Sequence, residues 1–202
     1  MWIPDKQLVI FDLETTESLT SIPEIIEIGA VKIDSSFDVV DKFETLVRPR
    51  DLSRVDRRIS SLTGISPEEL TSERTFDDVW DDFARFTEFN LTRLCSWNTA
   101  FDVAVLREEY RSRGLGFPHN QAPVDALSVV WTVASIWGLK LDGMSLRSAC
   151  ERFAVNRNNV HRALGDAESV VGVFKELRNL TLKEQEDGAS DQLLPTQPRR
   201  SR

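Results

Sequence analysis

The sequence predicts an α/β protein in which an antiparallel meander comes first and alternating strands and helices follow. Two observations carry this prediction. β-branched-rich segments follow one another as far as residue 47, and from residue 91 onward short apolar runs alternate with segments of helical periodicity. A chain of 202 residues with 41% hydrophobic residues can bury one substantial core, so we expect one main domain and look for one active site.

The first strands are expected near the amino terminus. Leu8 to Phe11 is a continuous apolar run that ends in Asp12-Leu13-Glu14. This pattern is typical of a strand buried on both faces, with carboxylates at the carboxyl end where open sheets bind ligands. Ile25 to Ile33 and Phe37 to Val47 are rich in β-branched residues and are joined by Asp34-Ser35-Ser36, which predicts an antiparallel hairpin added to the first strand.

Helical patterns begin after residue 65. Ser66 and Pro67 form an N-cap and N1 pair. After Thr75, large apolar residues recur at helical spacing, at Phe76, Val79, Trp80, Phe83 and Phe86. The predicted elements beyond them are a strand over Leu91 to Trp97, a helix over Phe101 to Arg113 ending at Gly114, a short strand over Gln121 to Val124 and a helix over Ala126 to Trp137.

A strongly amphipathic helix closes the domain. Its apolar stripe consists of Ala163, Ala167, Val170, Val171, Phe174 and Leu177. After about Leu182 the sequence becomes polar and rich in Glu, Gln, Ser and Pro, with too little apolar surface to pack. We therefore expect a folded domain over residues 1–182 and a disordered polar tail over residues 183–202.

Cysteine content and hydropathy indicate a cytoplasmic protein. Cys95 and Cys150 are too far apart in sequence for a disulfide framework or a zinc cluster, so we expect buried free thiols in a reducing compartment. The longest candidate membrane stretch, Val129 to Leu139, is about half of the roughly 20 residues that a spanning helix needs. The residues after Met1 show no apolar signal-peptide core.

Asp12 and Glu14 are the first candidate functional residues. Residues two apart in a strand point to the same face, so these two carboxylates lie side by side while Leu13 points the other way. Such a pair repels itself unless a cation sits between the two groups. Taken alone, two solvated acids at a strand end explain the pattern equally well.

Two further carboxylates occupy informative positions. Asp166 lies inside the apolar stripe of its own helix, three positions after Ala163 and four before Val170. A core-facing carboxylate needs a partner, so Asp166 predicts a salt bridge, a capping contact or a bound metal. Asp102 lies at the start of its helix, where an acid that favours the helix dipole is the simpler explanation when it is taken alone.

Together these four acids predict a site for divalent metal ions. Three separate segments deliver carboxylates, and clustered oxygen ligands suit Mg²⁺ or Mn²⁺ better than zinc. A two-metal phosphodiesterase site needs this inventory, with the ions about 3.5 to 4 Å apart. The net charge of −8 argues against a broadly basic nucleic-acid surface, but two bound divalent cations would bring it to −4.

The chain contains two histidines, and one of them is a candidate general base. His161 lies five residues before Asp166, just ahead of the helix, so it can reach over the site from a loop. An imidazole, with an ordinary pKa of about 6.5, suits proton transfer near neutral pH. A surface loop histidine is the alternative explanation for His161. For His119, between Pro118 and Asn120, we expect a surface loop position.

Three motifs in order resemble those of the DnaQ-like, DEDDh-type exonucleases, whose members include polymerase proofreading subunits, such as that of bacterial DNA polymerase III, oligonucleotide-trimming enzymes and RNA-processing nucleases. The motifs are Asp12-Leu13-Glu14-Thr15-Thr16, Asn98-Thr99-Ala100-Phe101-Asp102 and His161-Arg162-Ala163-Leu164-Gly165-Asp166-Ala167. The resemblance extends through Ile25 to Val31, Leu62 to Ile65 and Val124 to Ala126, and it covers nearly everything before the tail.

The resemblance implies an RNase-H-like fold with a mixed five-stranded sheet. It also implies four acidic ligands for two Mg²⁺ or Mn²⁺ ions, which are Asp12, Glu14, Asp102 and Asp166, and His161 as the base. Relatives that use a tyrosine as base carry it four residues before the final Asp, where this chain has Arg162. By the same analogy, the residues near the terminal nucleotide are Leu13, Thr15, Thr16, Asn98 and Phe101.

Two positions bear on substrate approach and on the following helix. Glu17 stands where many members have Gly, and it adds bulk and negative charge beside the entry path. This departure leaves substrate range open. Asp125 fits an acidic position of the family, and a helix N-cap explains it equally well.

The function that the sequence predicts is a metal-dependent 3′-to-5′ exonuclease acting on single-stranded 3′ ends, with DNA favoured and RNA possible. A non-catalytic nucleic-acid or partner-binding module on the same fold is one alternative. A hydrolase of small nucleotides is another. The arginine-rich stretch at Arg48, Arg50, Arg54, Arg57 and Arg58 is interpreted either as a phosphate-backbone track or as a solvated loop face. Gln192-Leu193-Leu194-Pro195 faintly resembles sliding-clamp motifs but lacks their terminal aromatic residue.

Overall fold

The first three strands form the predicted antiparallel meander. The computed structural model describes residues 7–16, 23–119, 121–157 and 160–186, and in it the meander consists of Gln7–Thr15 (β1), Ile25–Ile33 (β2) and Val39–Leu46 (β3). β1 pairs with β2 and β2 with β3, both in antiparallel register. β2 is buried along its entire length because it lies inside the sheet with both faces covered.

Two parallel strands complete the sheet on the other side of β1. Thr92–Ser96 (β4) pairs parallel with β1, and Val124–Asp125 (β5) pairs parallel with β4. Over the described residues the sheet has five strands in the order β3-β2-β1-β4-β5. The predicted mixed sheet of a meander plus parallel strands is therefore confirmed.

Helices cover both faces of the sheet. They are Arg57–Thr63 (α1), Pro67–Leu70 (α2), Phe76–Thr87 (α3), Thr99–Ser112 (α4), Ala126–Ile136 (α5), Leu146–Arg152 (α6) and Ala163–Glu186 (α7), with a short 3-10 turn at Leu52–Arg54. Several begin at side-chain caps. Asp56 accepts from the N–H groups of Arg58 and Ile59, and Ser66 forms a reciprocal capping box with Glu69.

The sheet separates the two larger of the three hydrophobic cores that the described residues form. On one face Leu8 and Ile10 of β1 pack with residues of α5, α6 and α7, including most of the predicted stripe on the last helix. On the other face Val9, Phe11 and Leu13 pack with residues of α3 and α4. Successive side chains of β1 therefore point to opposite faces of the sheet. Both faces of the strand are buried, as the sequence predicts.

Some boundaries differ from the prediction for local backbone reasons. β3 begins at Val39 and not at Phe37, because Phe37 has a left-handed φ of 62° in the turn before it. α4 begins at Thr99, two residues early, after Asn98 turns the chain with a φ of 62°. β5 contains two residues, and the predicted strand over 121–123 is irregular.

The carboxyl-terminal helix is longer than the sequence pattern indicates. α7 continues to Glu186, inside the segment 183–202 that the sequence predicts as a tail. The rest of that segment, with Gln192 to Pro195, lies outside the described residues, as does Glu17. None of the helices in the described part of the chain is long and apolar enough to cross a membrane.

His119 does not lie on the surface, so that prediction is wrong. Its side chain is 6% exposed and packs against the rings of Phe89 and Phe117. Burial lowers the pKa of the imidazole to about 4. Cys95 and Cys150 are buried free thiols, as predicted.

Candidate active site

β1 carries Asp12 and Glu14 to the carboxyl edge of the sheet. Leu8 and Ile10 face the α7 layer, so the next residues in the same alternation, Asp12 and Glu14, project on that side too. Leu13 points into the opposite core and is 6% exposed. The predicted side-by-side placement of the two carboxylates therefore agrees with the strand geometry.

The start of α7 brings two more predicted residues to the same place. One ligand atom each from Glu14, His161 and Asp166 lie within 4.8 Å of one another. Asp166 lies in the first turn of α7. His161 precedes the helix with a left-handed φ of 59°, a conformation that few residues other than glycine adopt. This backbone turn lies where the chain enters α7, whose first residues contact β2, and it leaves an imidazole nitrogen close to the two acids.

Asp102 is held at the start of α4. Its side chain is 4% exposed, and its Oδ2 accepts a hydrogen bond from the Ser96 hydroxyl at 3.0 Å. The backbone N–H of Leu13 is a further donor to this carboxyl group. Asp125 caps α5 by accepting from the N–H of Ser128 at 3.2 Å, and it also accepts from the N–H of Thr99 at 3.0 Å. Asp125 therefore links the first turns of α4 and α5 and fixes the turn that carries Asp102.

The pKa values of three of these carboxyl groups are raised. Burial is the largest cause for Asp12, whose pKa lies well above its ordinary value, and the charges of Asp102, Glu14 and Asp166 add to it. Burial and the charge of Glu27 raise the pKa of Glu14 to about 8. Burial raises the pKa of Asp102 to about 7. Burial of these groups, together with like charges around Asp12 and Glu14, indicates that the cluster lacks sufficient positive charge of its own.

One positive charge does enter the cluster. Arg157 Nη2 donates to Asp166 Oδ1 at 2.6 Å, and both side chains are largely buried. Arg157 Nε is buried without a hydrogen-bond partner among the described residues. Of the alternatives predicted for Asp166, the salt bridge is therefore present in this structure. A cation bound by Asp166 would compete with the guanidinium for the same oxygen.

The donor set fits a divalent cation. Carboxylate oxygens are the ligands that Mg²⁺ and Mn²⁺ prefer, and the described residues place Glu14 and Asp166 within reach of one ion. The raised pKa of Asp12 points the same way, because a divalent ion would supply the missing positive charge.

The residues predicted to contact a nucleotide differ in accessibility. Asn98 is exposed, and Phe101 is partly buried beside the α3–α4 core. Thr15 is 9% exposed and Thr16 is fully buried. The Thr16 hydroxyl accepts from the N–H of Glu24 at 3.1 Å, so in this structure it is engaged within the protein. The Leu13 side chain belongs to the core, which leaves its backbone as the part that faces the site.

Sequence reasoning missed two residues that border the cluster. Glu27 has a fully buried side chain that binds Arg162, and Arg157 binds Asp166. Glu27 had a visible signal, because it is one of two charged residues, with Lys32, in the largely apolar run of β2. Arg157 had none, since its segment shows no periodicity.

The arginine-rich stretch is partly structural. Arg50 and Arg54 bind the buried carboxylate of Glu24, with Nε–Oε2 and Nη1–Oε1 distances of 3.1 and 2.9 Å. Arg48 donates to the carbonyl oxygen of Thr71 at 3.1 Å. Arg57 lies in the exposed first turn of α1. Neither a phosphate-backbone track nor a solvated loop face accounts for these internal contacts.

Solved structures with the same architecture are nucleases by their descriptions. E. coli exonuclease I in complex with a dT13 oligonucleotide superposes with a TM-score of 0.77 at 16% identity, over 90% of this chain and 43% of that chain. A 3′-exonuclease described as recognising the 3′ end of a histone mRNA stem-loop superposes with a TM-score of 0.70 at 17% identity, over 91% of this chain and 64% of that chain. At these identities the likeness shows the fold alone. The chain is thus an RNase-H-like α/β protein with an acidic cluster at the carboxyl edge of its sheet.

Sequence comparison assigns the family. The RNase_T exonuclease family matches residues 9–174. The PolC-type DNA polymerase III of Thermotoga maritima is 33% identical over 170 residues, which are 84% of this chain and 12% of that protein. The corresponding protein of Staphylococcus epidermidis is 27% identical over 172 residues, 85% of this chain and 11% of that protein. The chain belongs to the RNase_T exonuclease family, in agreement with the resemblance of its three motifs.

Proposed function

We propose that this chain is a metal-dependent 3′-to-5′ exonuclease that removes nucleoside monophosphates from the 3′ end of a nucleic-acid strand. The observation that carries the proposal is the convergence of Glu14, His161 and Asp166 within 4.8 Å, next to the partly buried Asp12. Family membership supports it, because the matched region contains all of these residues. A carboxylate cluster with a histidine at its rim suits phosphodiester hydrolysis.

The residues have distinct roles in this proposal. Asp12, Glu14, Asp102 and Asp166 would hold two Mg²⁺ or Mn²⁺ ions. When bound, the ions supply Lewis-acid stabilisation of the charge that develops on the attacking and leaving oxygens. His161 accepts the proton of the attacking water at an imidazole nitrogen and holds it while the P–O bond to the leaving 3′ oxygen breaks. The products are a nucleoside 5′-monophosphate and a strand shortened by one nucleotide.

A single-stranded 3′ end is the proposed substrate, with DNA favoured over RNA. The sequence relatives are DNA polymerases, which supports DNA, whereas one structural neighbour is described with a histone mRNA. Association with a polymerase is proposed from the same relatives, and a cytoplasmic location from the buried free thiols. Near the site, Thr15, Asn98 and Phe101 are proposed to contact the terminal nucleotide.

Removal of one ligand tests the metal site. Asp12→Ala and Asp166→Ala should each abolish nuclease activity in Mg²⁺ and keep the fold, since losing one carboxylate relieves repulsion in the metal-free protein. A gel assay on a 5′-labelled oligonucleotide measures activity, and circular dichroism checks the fold. Asp41→Ala, at an exposed position on β3, is the control and should degrade the strand normally. Normal rates in either site variant would remove the assignment.

Replacement of the proposed base should give a different result. His161→Ala should lower the rate by about 10² to 10⁴ while Mn²⁺ binding persists, because a base is lost and the carboxylates remain. Single-turnover kinetics and Mn²⁺ titration by electron paramagnetic resonance measure the two effects. If Mn²⁺ affinity falls as far as it does in Asp166→Ala, His161 is a metal ligand and the base assignment is wrong.

Substrate class is tested by side-by-side time courses on single-stranded DNA, duplex DNA and RNA, with and without EDTA. We expect stepwise shortening from the 3′ end, fastest on single-stranded DNA, and no shortening in EDTA. Hydrolysis of mononucleotide esters without shortening of oligonucleotides would favour a small-nucleotide hydrolase. Strand binding without hydrolysis of any substrate would favour a non-catalytic binding module.

A further inference from the structure

Glu27 of β2 is a buried carboxylate that the proposed chemistry does not use. It pairs directly across the strands with Glu14, and its side chain is fully buried. Oε1 accepts hydrogen bonds from Arg162 Nε at 2.8 Å and from Arg162 Nη2 at 2.5 Å. Oε2 accepts from the backbone N–H of Ala163 at 2.8 Å. Both oxygens are therefore committed to the two residues that follow His161.

The bond to Ala163 fixes the start of α7. The first N–H groups of a helix have no acceptor inside the helix, and a negative charge there is favoured by the helix dipole. Glu27 supplies that acceptor from a different element, 136 positions away in sequence. The first turn of α7 is thereby tied to β2, in addition to the bond from the Asp166 N–H to the Arg162 carbonyl oxygen at 3.0 Å.

Gly29 is a second, independent contact between the same two elements. It lies two residues after Glu27 on the same strand, and a Cβ built on it would stand 2.0 Å from the backbone nitrogen of Leu164 and 2.2 Å from the carbonyl carbon of Ala163. Strand and helix therefore meet backbone to backbone at this point. Residues 162–164 are held by Glu27 on one side and by the Gly29 contact on the other.

The proposed base, His161, lies immediately before residues 162–164. The left-handed φ of His161 costs on the order of 1 kcal/mol for a non-glycine residue, so neighbouring contacts must maintain it. Arg162 and Ala163 come next in the chain, and their nitrogens are the groups that Glu27 binds. The direction in which the imidazole leaves the backbone is therefore set by how firmly those two residues are held.

We propose that Glu27 is a positioning residue that holds His161 against Glu14 and Asp166 through Arg162 and the first N–H of α7. This inference rests on the proposed function, since it assigns Glu27 a part in the same hydrolysis. Glu27 touches neither the substrate nor the reacting water in this scheme. Its contribution is the placement of the base.

Glu27→Gln tests the inference with little change in volume. The amide keeps one acceptor oxygen, but its NH₂ group would face an N–H donor of either Arg162 or Ala163. One of these two contacts of residue 27 is therefore lost. We expect kcat to fall by about 10- to 100-fold, as is typical when a group that orients a site residue is lost. KM for the oligonucleotide should stay within about twofold, because the residues proposed to contact the nucleotide are unchanged.

Glu109→Gln is the matched control. Glu109 is also buried, pairs with one arginine, Arg113, and accepts one backbone N–H, that of Ile25 at 3.4 Å. It lies on α4 and makes no described contact with α7. The control should lose similar thermal stability and keep kcat within about twofold. Equal losses of kcat in the two variants would mean that Glu27 acts through general stability, which would overturn the inference.

A double-mutant cycle with His161→Ala gives the sharper result. If Glu27 acts by placing the imidazole, Glu27→Gln should cost less than about threefold in the His161→Ala background. An undiminished 10- to 100-fold loss there would overturn the positioning role while leaving the proposed function intact. Wild-type activity in His161→Ala alone, or no nuclease activity in the unaltered protein, would instead overturn the proposed function.

Arg162→Gln tests the positioning role if Glu27→Gln does not fold. The Arg162 side chain is 39% exposed, so its replacement removes one half of the anchor with less risk to the core. We expect a smaller loss of kcat, about three- to tenfold, that also vanishes in the His161→Ala background. A loss that is the same with and without His161 would contradict the inference.

Discussion

At the level of single residues, Arg157 brings a positive charge to the acidic cluster. Its guanidinium contacts Asp166 at 2.6 Å, whereas Asp12 and Glu14 have like charges as close neighbours. Its Nε has no hydrogen-bond partner among the described residues, so the burial of this arginine is only partly compensated. A guanidinium in that situation is an internal counter-ion, which would compete with a bound cation for Asp166.

Arg157→Gln should therefore tighten binding of a divalent ion. Without the competing guanidinium, we expect the apparent Kd for Mn²⁺ to fall about tenfold, which corresponds to roughly 1.4 kcal/mol, the scale of a partly buried charged hydrogen bond. Isothermal titration of the metal-free protein with Mn²⁺ measures the change. Arg147→Gln, which breaks an exposed pair with Glu151 on α6, should leave Kd unchanged. Weaker binding in Arg157→Gln would show that the arginine supports the ligands and does not compete with an ion.

At the level of elements, the contact between β2 and α7 sets the site geometry. The strand supplies a side-chain anchor at Glu27 and a bare backbone at Gly29, and the helix presents its first turn to both. Close approach of two backbones requires that no Cβ lie between them. The sequence of β2 is therefore constrained by the helix as much as by the sheet.

Gly29→Ala should be strongly destabilising. The added Cβ would overlap backbone atoms that cannot rotate away, so strand and helix must separate, at a cost of about 3 kcal/mol. Urea unfolding measures the free energy of unfolding. Gly116→Ala is the control, because nothing lies within 4 Å of a Cβ there and its φ is not positive. A Gly29→Ala protein as stable as the control variant would contradict the described approach.

Elements with strong patterns were predictable from sequence, and weak ones were not. The bounds of β2 agree with prediction because its apolar run is long and is ended by turn residues. β5 is a two-residue strand whose place depends on pairing with β4, which no local pattern encodes. The early start of α4 depends on the left-handed turn at Asn98, a choice that the fold imposes on that residue.

At the level of the whole molecule, the acidic cluster links folding to pH. The folded pKa of Glu14 is about 8, against an ordinary value of 4.5, and that of Asp102 is about 7, against 3.8. A group whose pKa is raised in the folded state favours folding while it is protonated in that state. This contribution is fully present below the ordinary pKa and is lost as pH rises through the folded pKa.

In EDTA, the melting temperature should therefore fall between about pH 5 and pH 8. Glu14→Gln should flatten this decrease, because its amide does not titrate, and Mg²⁺ should oppose it more strongly at pH 8 than at pH 6. Differential scanning calorimetry at several pH values measures both effects. Glu151→Gln, at an exposed position on α6, should keep the wild-type slope. A melting temperature that rises with pH over this range would contradict the raised pKa values.

The sequence predicts a set of residues for the candidate site but not the contacts that support them. Asp12, Glu14, Asp102, Asp166 and His161 have recognisable spacing within three short motifs. Their supports are long-range contacts, such as the pairing of Glu27 with Arg162, 135 positions apart. Spacing along a chain carries no information on such pairs without the fold. The burial of His119 was missed for the same reason, since its ring partner Phe89 comes from another segment.

The two outermost strands bear on how this domain can meet other proteins. β5 offers two residues for further pairing, and β3 presents the exposed charges of Asp41, Lys42 and Glu44 along its length. Short or charged margins of this kind discourage a foreign strand from extending a sheet. A partner of this domain is therefore expected to contact its helices and loops, and the folded protein to resist edge-to-edge aggregation.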